Sequence, residues 1–504
     1  MKNKIEKKRL VVIGSGMAAT SCVEEIIGLD PERFEITVFG AEEHLNYNRV
    51  LLSHVLTGEK ELKDIVLHDL KWYEDNNIKL HSGKRITEIN RAQKKVISED
   101  ASEHPYDVLI LATGSLPFIP PVVGMDKEGV VAFRTINDCE KIKDDVREGS
   151  RVAVIGGGLL GLEAAYGALK LGADVSVVHL ADRLLERQLD ITSAEFLKED
   201  IEKLGIDVML SKETTEVYGE GKCEGLNFKD GTSLEADLII VSVGIKPNIE
   251  LIESSGIYCE KGVVVSDVMQ SYDPAVYAIG ECVQHRNKTF GLVAPIFKQA
   301  KVLANHLAGD GRLAFKDIAS SARLKVPDIE LYSAGSIDDA DGIETVEYLD
   351  RGARVYKKLF LKDNKLNGMI MYGDTSDGPR LFAKLLDGSD VNTVRHTSIF
   401  GDGAGAGVSS MAELTDETIV CGCNGITKGM IVESIKSKGL FSREDVTRET
   451  GAGGGCGGCG ELIEQILEST LGSDFNSAIH NEGICPCTRY TRDDIVKNIR
   501  EQGL

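Results

Sequence analysis

The sequence predicts an α/β protein with two Rossmann-like domains, an α+β interface domain and a small helical module near its C-terminal end. Two segments, residues 10–27 and 151–171, have the same order of apolar strand, glycine-rich turn and helix. Their strands are short Val/Ile runs bounded by glycine, as buried parallel strands are. A chain of 504 residues also exceeds one ordinary core, because a domain holds roughly 150 residues.

The composition is that of a globular α/β protein, with 42% hydrophobic residues, 27% charged residues and 53 glycines. A net charge of -22 argues against a nucleic-acid surface, because Lys and Arg dominate phosphate binding. No apolar run reaches the roughly 18 residues of a membrane span, so we expect no membrane contact. The first apolar run, Leu10–Ile13, is too short for a signal peptide. We therefore expect a cytoplasmic protein.

The first glycine-rich turn is Gly14-x-Gly16-x-x-Ala19. Small residues at these positions allow a tight turn, a close approach of the backbone to a pyrophosphate, and packing of the helix on the strand. The helix N-terminus then presents N–H groups and the positive end of its dipole to the phosphates. The motif predicts a dinucleotide site, although the same residues also fit an ordinary tight turn.

A carboxylate at the end of the second strand binds a ribose hydroxyl in such sites. The segment ITVFGAEE places Glu42 and Glu43 close to that position. Either residue could fill the role, and each could equally be a solvated surface carboxylate. We take Glu42 as the candidate.

The second glycine-rich turn is complete, Gly156-x-Gly158-x-x-Gly161, and Glu163 follows on the helix. It predicts a second nucleotide site by the same reasoning. After the next strand, VSVVHLADR presents His179 where a carboxylate would bond the 2′-hydroxyl and repel a 2′-phosphate. Without that carboxylate, NADH and NADPH both remain open as substrates.

Six of the 11 cysteines lie in close pairs after residue 420. In a cytosolic protein such pairs indicate metal ligands rather than disulfides. Ser442 with Asp445 fits a capping box, which places the ligands on loops at helix starts. Four thiolates can hold a [2Fe–2S] cluster, and the candidate ligands are Cys421, Cys423, Cys456 and Cys459. A zinc site is the alternative, although its pairs usually read CxxC rather than CxC.

The C-terminal region contains a repeat, because a shift of 64 residues superposes Cys421 and Cys423 on Cys485 and Cys487. The second copy stops at the end of the sequence, halfway through the module. We interpret Cys485 and Cys487 as a remnant. Pairing with the cysteines of a partner chain, or association with the first cluster, are the alternatives.

Two nucleotide units, one interrupting the other, resemble the pyridine nucleotide-disulfide oxidoreductase superfamily, and DPAVYAIGEC at residues 273–282 completes its pattern. The resemblance implies FAD in the first unit and NAD(P)H in the second. It also implies that Glu281 binds the flavin ribityl chain and that Gly280, Arg49 and Gly114 lie near the FAD. The superfamily's disulfide branch has two redox cysteines beside the flavin, and none occur here. We expect Cys22 to be a packed core thiol.

The segments CGCNGITKG and GGGCGGCGE resemble the bacterioferritin-associated-ferredoxin module in the large subunit of NAD(P)H-dependent nitrite reductases. FRTINDCE, FGLVAPIFKQA and MYGDTSDGPRLF extend the resemblance over nearly the whole chain. In that family an acidic residue directly follows the FG pair, whereas Ala41 stands there in this sequence, so Glu42 would be its substitute. The family continues into a sirohaem and [4Fe–4S] domain that is absent here, which argues against nitrite reduction by this polypeptide alone.

The segments YDVLILATGS and LIIVSVGIKPN are interpreted as hinges between domains, and VYKKLFLKDNKLNGMIMYG predicts an antiparallel hairpin. The expected parts are an FAD-binding domain (1–120 and 245–320), an NAD(P)H-binding domain (121–244), an α+β interface domain (321–400), a linker (401–416), a [2Fe–2S] module (417–472) and the first half of a second module (480–504).

The predicted function is electron transfer from NAD(P)H through FAD and a [2Fe–2S] cluster to an acceptor in nitrite or nitrate reduction. The expected acceptor is a separate redox protein, a sirohaem nitrite reductase or a nitrate reductase component, and a homodimer is one possible assembly. No catalytic side chain is indicated. A redox-sensing or iron-handling flavoprotein and an NAD(P)H oxidase are the two alternatives.

Overall fold

The computed structural model describes residues 7–338, 341–391, 415–421, 425–454 and 459–471. The chain divides into two compact units, residues 1–401 and 402–504. Among the described residues, every helix is too short or too polar to cross a membrane.

The first unit has three stretches of secondary structure. The first contains β1 (Lys8–Ile13), α1 (Met17–Leu29), β2 (Phe34–Phe39), a 3-10 helix (Arg49–Leu51), α2 (Leu52–Thr57), α3 (Leu62–Ile65), α4 (Leu70–Asp75), β3 (Lys79–His81), β4 (Ile86–Asn90), β5 (Lys95–Ser98), β6 (Glu103–Pro105), β7 (Val108–Leu111) and β8 (Ser115–Pro117). The second contains β9 (Val130–Ala132), α5 (Ile136–Asp145), β10 (Arg151–Ile155), α6 (Leu159–Lys170), β11 (Asp174–Val178), α7 (Ile191–Lys203), β12 (Ile206–Met209), β13 (Thr214–Tyr218), β14 (Gly225–Phe228), β15 (Ser233–Glu235) and β16 (Leu238–Val241). The third contains β17 (Ile245–Pro247), α8 (Glu250–Ser254), β18 (Val263–Val264), β19 (Val276–Ala278), β20 (Val283–His285), β21 (Lys288–Thr289), α9 (Val293–Ala308), β22 (Ser321–Arg323), β23 (Leu331–Gly335), β24 (Glu344–Asp350), β25 (Val355–Lys362), β26 (Lys365–Tyr372) and α10 (Gly378–Asp387).

The first parallel sheet has the strand order β19-β7-β1-β2-β3. Four of its strands precede the second stretch in the sequence, and β19 follows that stretch. Helix α1 packs against α9 beside this sheet. From β1 the chain adds β2 and β3 on one side, whereas β7 and β19 lie on the other. This reversal opens a crevice at the carboxyl ends of β1 and β7, which is where open α/β sheets bind ligands.

The second parallel sheet has the order β12-β11-β10-β16-β9 and reverses in the same way, between β10 and β16. The prediction of two Rossmann-like sheets is therefore confirmed. Each glycine-rich turn directly follows the central strand of its own sheet, β1 or β10.

The two predicted hinge segments lie side by side, because β8 pairs with β17 as a short antiparallel ribbon. Each strand follows a glycine with a positive φ, +68° at Gly114 and +116° at Gly244, a conformation that favours glycine. The chain therefore leaves the first sheet and returns to it through one two-stranded connection.

An antiparallel sheet with the order β22-β23-β26-β25-β24 follows, with α10 packed on it. The predicted hairpin is confirmed as β25 and β26. Two tyrosines of this sheet attach it to α7, because the hydroxyls of Tyr356 and Tyr372 donate hydrogen bonds of 2.6 Å to Asp190 and Asp200.

The second unit contains β27 (Ile419–Cys421), β28 (Ile426–Thr427), α11 (Lys428–Lys438), α12 (Arg443–Thr450) and α13 (Gly460–Leu471). The three helices share a small apolar core that includes Ile431, Ile435, Val446, Ile463 and Ile466. Left-handed glycines follow α11 and α12, as helix C-termini prefer.

Candidate functional site

The first glycine-rich turn forms a cradle at the carboxyl edge of the first sheet. Gly14 has a φ of +112°, and a Cβ there would lie 2.0 Å from the Ala112 carbonyl oxygen, so only glycine fits. Gly16 is the N-cap of α1, and a Cβ there would meet no atom within 4 Å. Ala19 is buried below it. The open space above the helix N-terminus fits an anionic pyrophosphate.

The second glycine-rich turn repeats this geometry in the second sheet. Gly156 has a φ of +119°, and its Cβ would lie 2.2 Å from the carbonyl oxygen of Ser242. Gly158 is the N-cap of α6 and has no atom within 4 Å of a Cβ position. A Cβ at Gly161 would lie 1.9 Å from the Gly156 carbonyl oxygen, so this glycine lets the helix pack on the turn. The second cradle also fits a dinucleotide phosphate.

Glu42 and Arg49 lie in contact close to the first cradle. Oxygens of the Glu42 carboxylate accept hydrogen bonds from Arg49 Nη2 at 2.7 Å and from the Tyr47 hydroxyl at 2.8 Å. Burial acts to raise the pKa of Glu42, but the Arg49 charge and these hydrogen bonds outweigh it and hold the pKa below its usual value. Arg49 also donates to the Arg134 carbonyl oxygen at 2.5 Å. The ribose-binding role of Glu42 stays a prediction, since its carboxylate already has two donors.

Glu281 follows β19 at the same edge and forms a partly buried cluster that the sequence did not predict. Its carboxylate pairs with the Arg134 guanidinium and accepts from the Ser115 hydroxyl at 2.7 Å. Arg134 Nε is buried without a hydrogen-bond partner among the described residues, so a donor is available beside the carboxylate. Gly280 has a φ of +90° and donates its N–H to Gln299 at 2.8 Å.

Glu163 lies on α6, and its side chain is only 2% exposed. Its carboxylate pairs with Lys325 Nζ at 3.3 Å, from the loop after β22. The contact that the structure shows for Glu163 is therefore charge compensation between α6 and the loop after β22. Its predicted cofactor-binding role stays a prediction.

Two of the four candidate cluster ligands are described, and both are buried. Cys421 ends β27, and Cys459 precedes α13, where its carbonyl accepts the Ile463 N–H at 2.9 Å. The predicted capping residue is confirmed, because the Ser442 hydroxyl accepts the Asp445 N–H at 3.1 Å. The remaining members of the cysteine pairs lie outside the described residues: Cys423, Cys456, Cys485 and Cys487.

Cys22 is confirmed as a core thiol, since it is fully buried on α1. Burial raises the pKa of its thiol far above the usual range. A thiol with so high a pKa is not ionised at neutral pH and is a poor nucleophile.

Residues 8–301 match the pyridine nucleotide-disulphide oxidoreductase family. The chain belongs to this family. The match spans both cradles and the Glu281 cluster, and it confirms the predicted use of FAD and NAD(P)H by this oxidoreductase. Residues 321–387 match the rubredoxin NAD+ reductase C-terminal domain. Residues 419–469 match the BFD-like [2Fe-2S] binding domain, which confirms the predicted cluster.

The oxidoreductase is similar to proteins named for nitrite and nitrate reduction. It is 46% identical over 499 residues to a nitrite reductase [NAD(P)H] of Bacillus subtilis, covering 99% of the chain and 62% of the relative. It is 41% identical to an assimilatory nitrate reductase electron transfer subunit of the same organism, covering 99% and 64%. The chain therefore spans about three fifths of the length of these relatives. The solved NADH:rubredoxin oxidoreductase of Clostridium acetobutylicum superposes with a TM-score of 0.64 at 27% identity, covering 77% of this chain and 97% of that one.

Proposed function

We propose that this chain transfers electrons from NAD(P)H, through FAD and a [2Fe–2S] cluster, to a separate redox protein in nitrite or nitrate reduction. The observation that carries the proposal is the presence of two dinucleotide cradles and a [2Fe–2S] binding domain in one chain. The similarity to a nitrite reductase and to a nitrate reductase electron transfer subunit supports the choice of pathway. Bound FAD supplies a group that accepts a hydride and gives up electrons singly.

In this proposal the first cradle holds the FAD pyrophosphate and the second holds that of NAD(P)H. Gly14 and Gly16 admit the phosphates to the N-terminus of α1. Arg134 Nε is a buried donor and Glu281 a partly buried acceptor at the same edge. These groups bind and orient the FAD. The proposed ligands of the [2Fe–2S] cluster are Cys421, Cys423, Cys456 and Cys459.

The test is an anaerobic titration of the purified chain with NADH or NADPH, followed by absorbance. We expect the flavin and cluster absorbances to fall together. Nitrite-dependent NADH oxidation should then require an added sirohaem nitrite reductase component, and nitrate-dependent oxidation an added nitrate reductase subunit. Nitrite reduction by the pure chain would contradict the need for a separate acceptor.

An NAD(P)H oxidase is distinguished by the Cys456→Ser variant. A reductase that passes electrons through the cluster should lose transfer to the acceptor protein while its flavin is still reduced by NAD(P)H. An oxidase should retain its full turnover with oxygen. Cys22→Ser is the matched control, because this buried thiol lies on α1 in the first unit.

A further inference from the structure

The end of β11 has no carboxylate of its own, but a nearby loop supplies one. The Gly157 N–H, inside the second cradle, donates to His179 Nδ1 at 3.1 Å. The other ring nitrogen, Nε2, lies 3.1 Å from the Glu186 carboxylate. Because Nδ1 accepts a hydrogen bond, the proton of the neutral ring is on Nε2 and is donated to Glu186. The cradle backbone, the imidazole and the carboxylate therefore form one chain of hydrogen bonds.

The loop at residues 180–189 is held against the cradle by its backbone as well. The Leu185 N–H donates to the Gly157 carbonyl oxygen at 3.0 Å, and Leu185 has a φ of +52°. A Cβ at Gly157 would lie 2.5 Å from Leu184 Cδ2 and 2.9 Å from His179 Cγ. Only glycine allows this close packing, which places Glu186 beside the turn.

We propose that Glu186, positioned by His179, makes the second cradle selective for NADH over NADPH. A carboxylate at this end of the second strand accepts a hydrogen bond from a ribose 2′-hydroxyl and repels a 2′-phosphate. His179 is the one hydrogen-bond partner of Glu186 within the described part of the chain. One carboxylate oxygen therefore stays available, and the side chain remains 37% exposed.

Two nearby cations, Arg183 and Lys212, are already engaged, which disfavours a 2′-phosphate. Arg183 pairs with Asp182 at 2.9 Å and donates to the Leu189 carbonyl oxygen at 3.3 Å. Lys212 pairs with Asp230 at 2.5 Å. Arg187, next to Glu186 in the same loop, is exposed and makes no ion pair within the described part of the chain, so it is the cation that the test has to address. The inference rests on the proposed function in one respect, that the second cradle is the NAD(P)H site.

The test compares NADH and NADPH in anaerobic rapid mixing, with the rate of flavin bleaching as the readout. We expect the wild-type protein to prefer NADH. Glu186→Gln should reduce the NADH/NADPH ratio of apparent second-order rate constants at least about tenfold, the effect of one lost hydrogen bond to a charged group. Glu186→Lys should reduce it further. Glu213→Gln is the control. Glu213 is an exposed carboxylate between β12 and β13, and it pairs with Lys229 rather than with His179.

A double variant serves as a rescue, in which His179→Asp is added to Glu186→Gln. It returns a carboxylate to the end of β11, where the Gly157 N–H can donate to it, and should restore the NADH preference. An unchanged ratio in Glu186→Gln would overturn the inference. A wild-type preference for NADPH that disappears in Arg187→Gln would overturn it too.

Calorimetric binding of NAD⁺ and NADP⁺ separates this inference from the proposed function. If neither reduced nucleotide bleaches the flavin, the proposed function fails. Tighter binding of NAD⁺ than of NADP⁺, lost in Glu186→Gln, would still support the role of Glu186. Equal binding of both nucleotides by the wild-type protein would overturn it.

Discussion

At the scale of single residues, two glycines of the second cradle have different roles although they are three positions apart. A Cβ at Gly161 would lie 1.9 Å from the Gly156 carbonyl oxygen, whereas a Cβ at Gly158 would enter open space. Gly161→Ala should therefore lower the free energy of unfolding by about 1–3 kcal/mol, as overpacking does. Chemical denaturation of Gly161→Ala and of Gly158→Ala, compared with the wild-type protein, checks this.

Gly158→Ala is the matched variant for that experiment. Its methyl group would occupy the space in front of the α6 N-terminus, so we expect near-normal stability and weaker binding of NAD(P)H. Calorimetric titration measures the binding. Wild-type affinity in Gly158→Ala would show that the nucleotide phosphates lie elsewhere.

At the scale of elements, an Arg–Asp ion pair occupies the same position in both parallel sheets. Arg9 is the second residue of the central strand β1. Its N–H and guanidinium bind the Asp107 carboxylate just before β7 at 2.8–3.1 Å. Arg151 and Asp237 do the same between β10 and β16 at 2.7–3.2 Å. Each pair ties together the two strands between which its sheet reverses, at the end opposite the cradle.

The Arg9–Asp107 pair predicts a pH dependence of stability. The hydrogen bonds from the Arg9 side chain and N–H lower the pKa of Asp107 from 3.8 to about 2. A folded-state pKa below the unfolded value stabilises the fold above about pH 4, and this contribution disappears as the pH falls toward 2. Asp107→Asn should lose about 1 kcal/mol or less at pH 7, because both side chains are more than one third exposed.

The measurement is the urea midpoint of Asp107→Asn and the wild-type protein at several pH values. The difference between them should shrink from about pH 5 downward. A difference that grows in acid would contradict the prediction. Asp237→Asn should behave alike, since Arg151 lowers the pKa of Asp237 by the same contacts.

At the scale of the whole molecule, the ion pair between buried Glu163 and partly buried Lys325 joins α6 to the loop after β22. Lys325→Met would leave a carboxylate without its cation in a site that is 2% exposed. We expect a loss of about 3 kcal/mol in the free energy of unfolding, as when one partner of a buried pair is removed. Chemical denaturation of the purified Lys325→Met variant measures this loss in the free energy of unfolding.

The double variant Glu163→Gln with Lys325→Met is the control for this prediction. It removes the buried charge, so it should recover part of the lost stability. Wild-type stability in Lys325→Met, together with weaker NAD(P)H binding, would contradict a structural role and favour the predicted contact of Glu163 with the cofactor.

The sequence by itself determined the parts whose signals are local. The glycine-rich turns, the Val/Ile strands around them and the capping residue Ser442 depend on chain segments of about ten residues, in which side-chain periodicity and turn geometry are already encoded. The order of these segments also determined the family. The fold class and the positions of both cradles were therefore predictable.

Only the tertiary structure decided which distant residues meet. Arg134 and Glu281 are 147 positions apart, and Lys325 is 162 positions from Glu163. Their contacts depend on sheet register and on the way the domains pack, so no spacing in the sequence reveals them. The same holds for β8 and β17, which pair only because the inserted sheet brings both hinges to one place. Glu186 is close to His179 in sequence, yet its contact requires the loop to fold back onto the cradle.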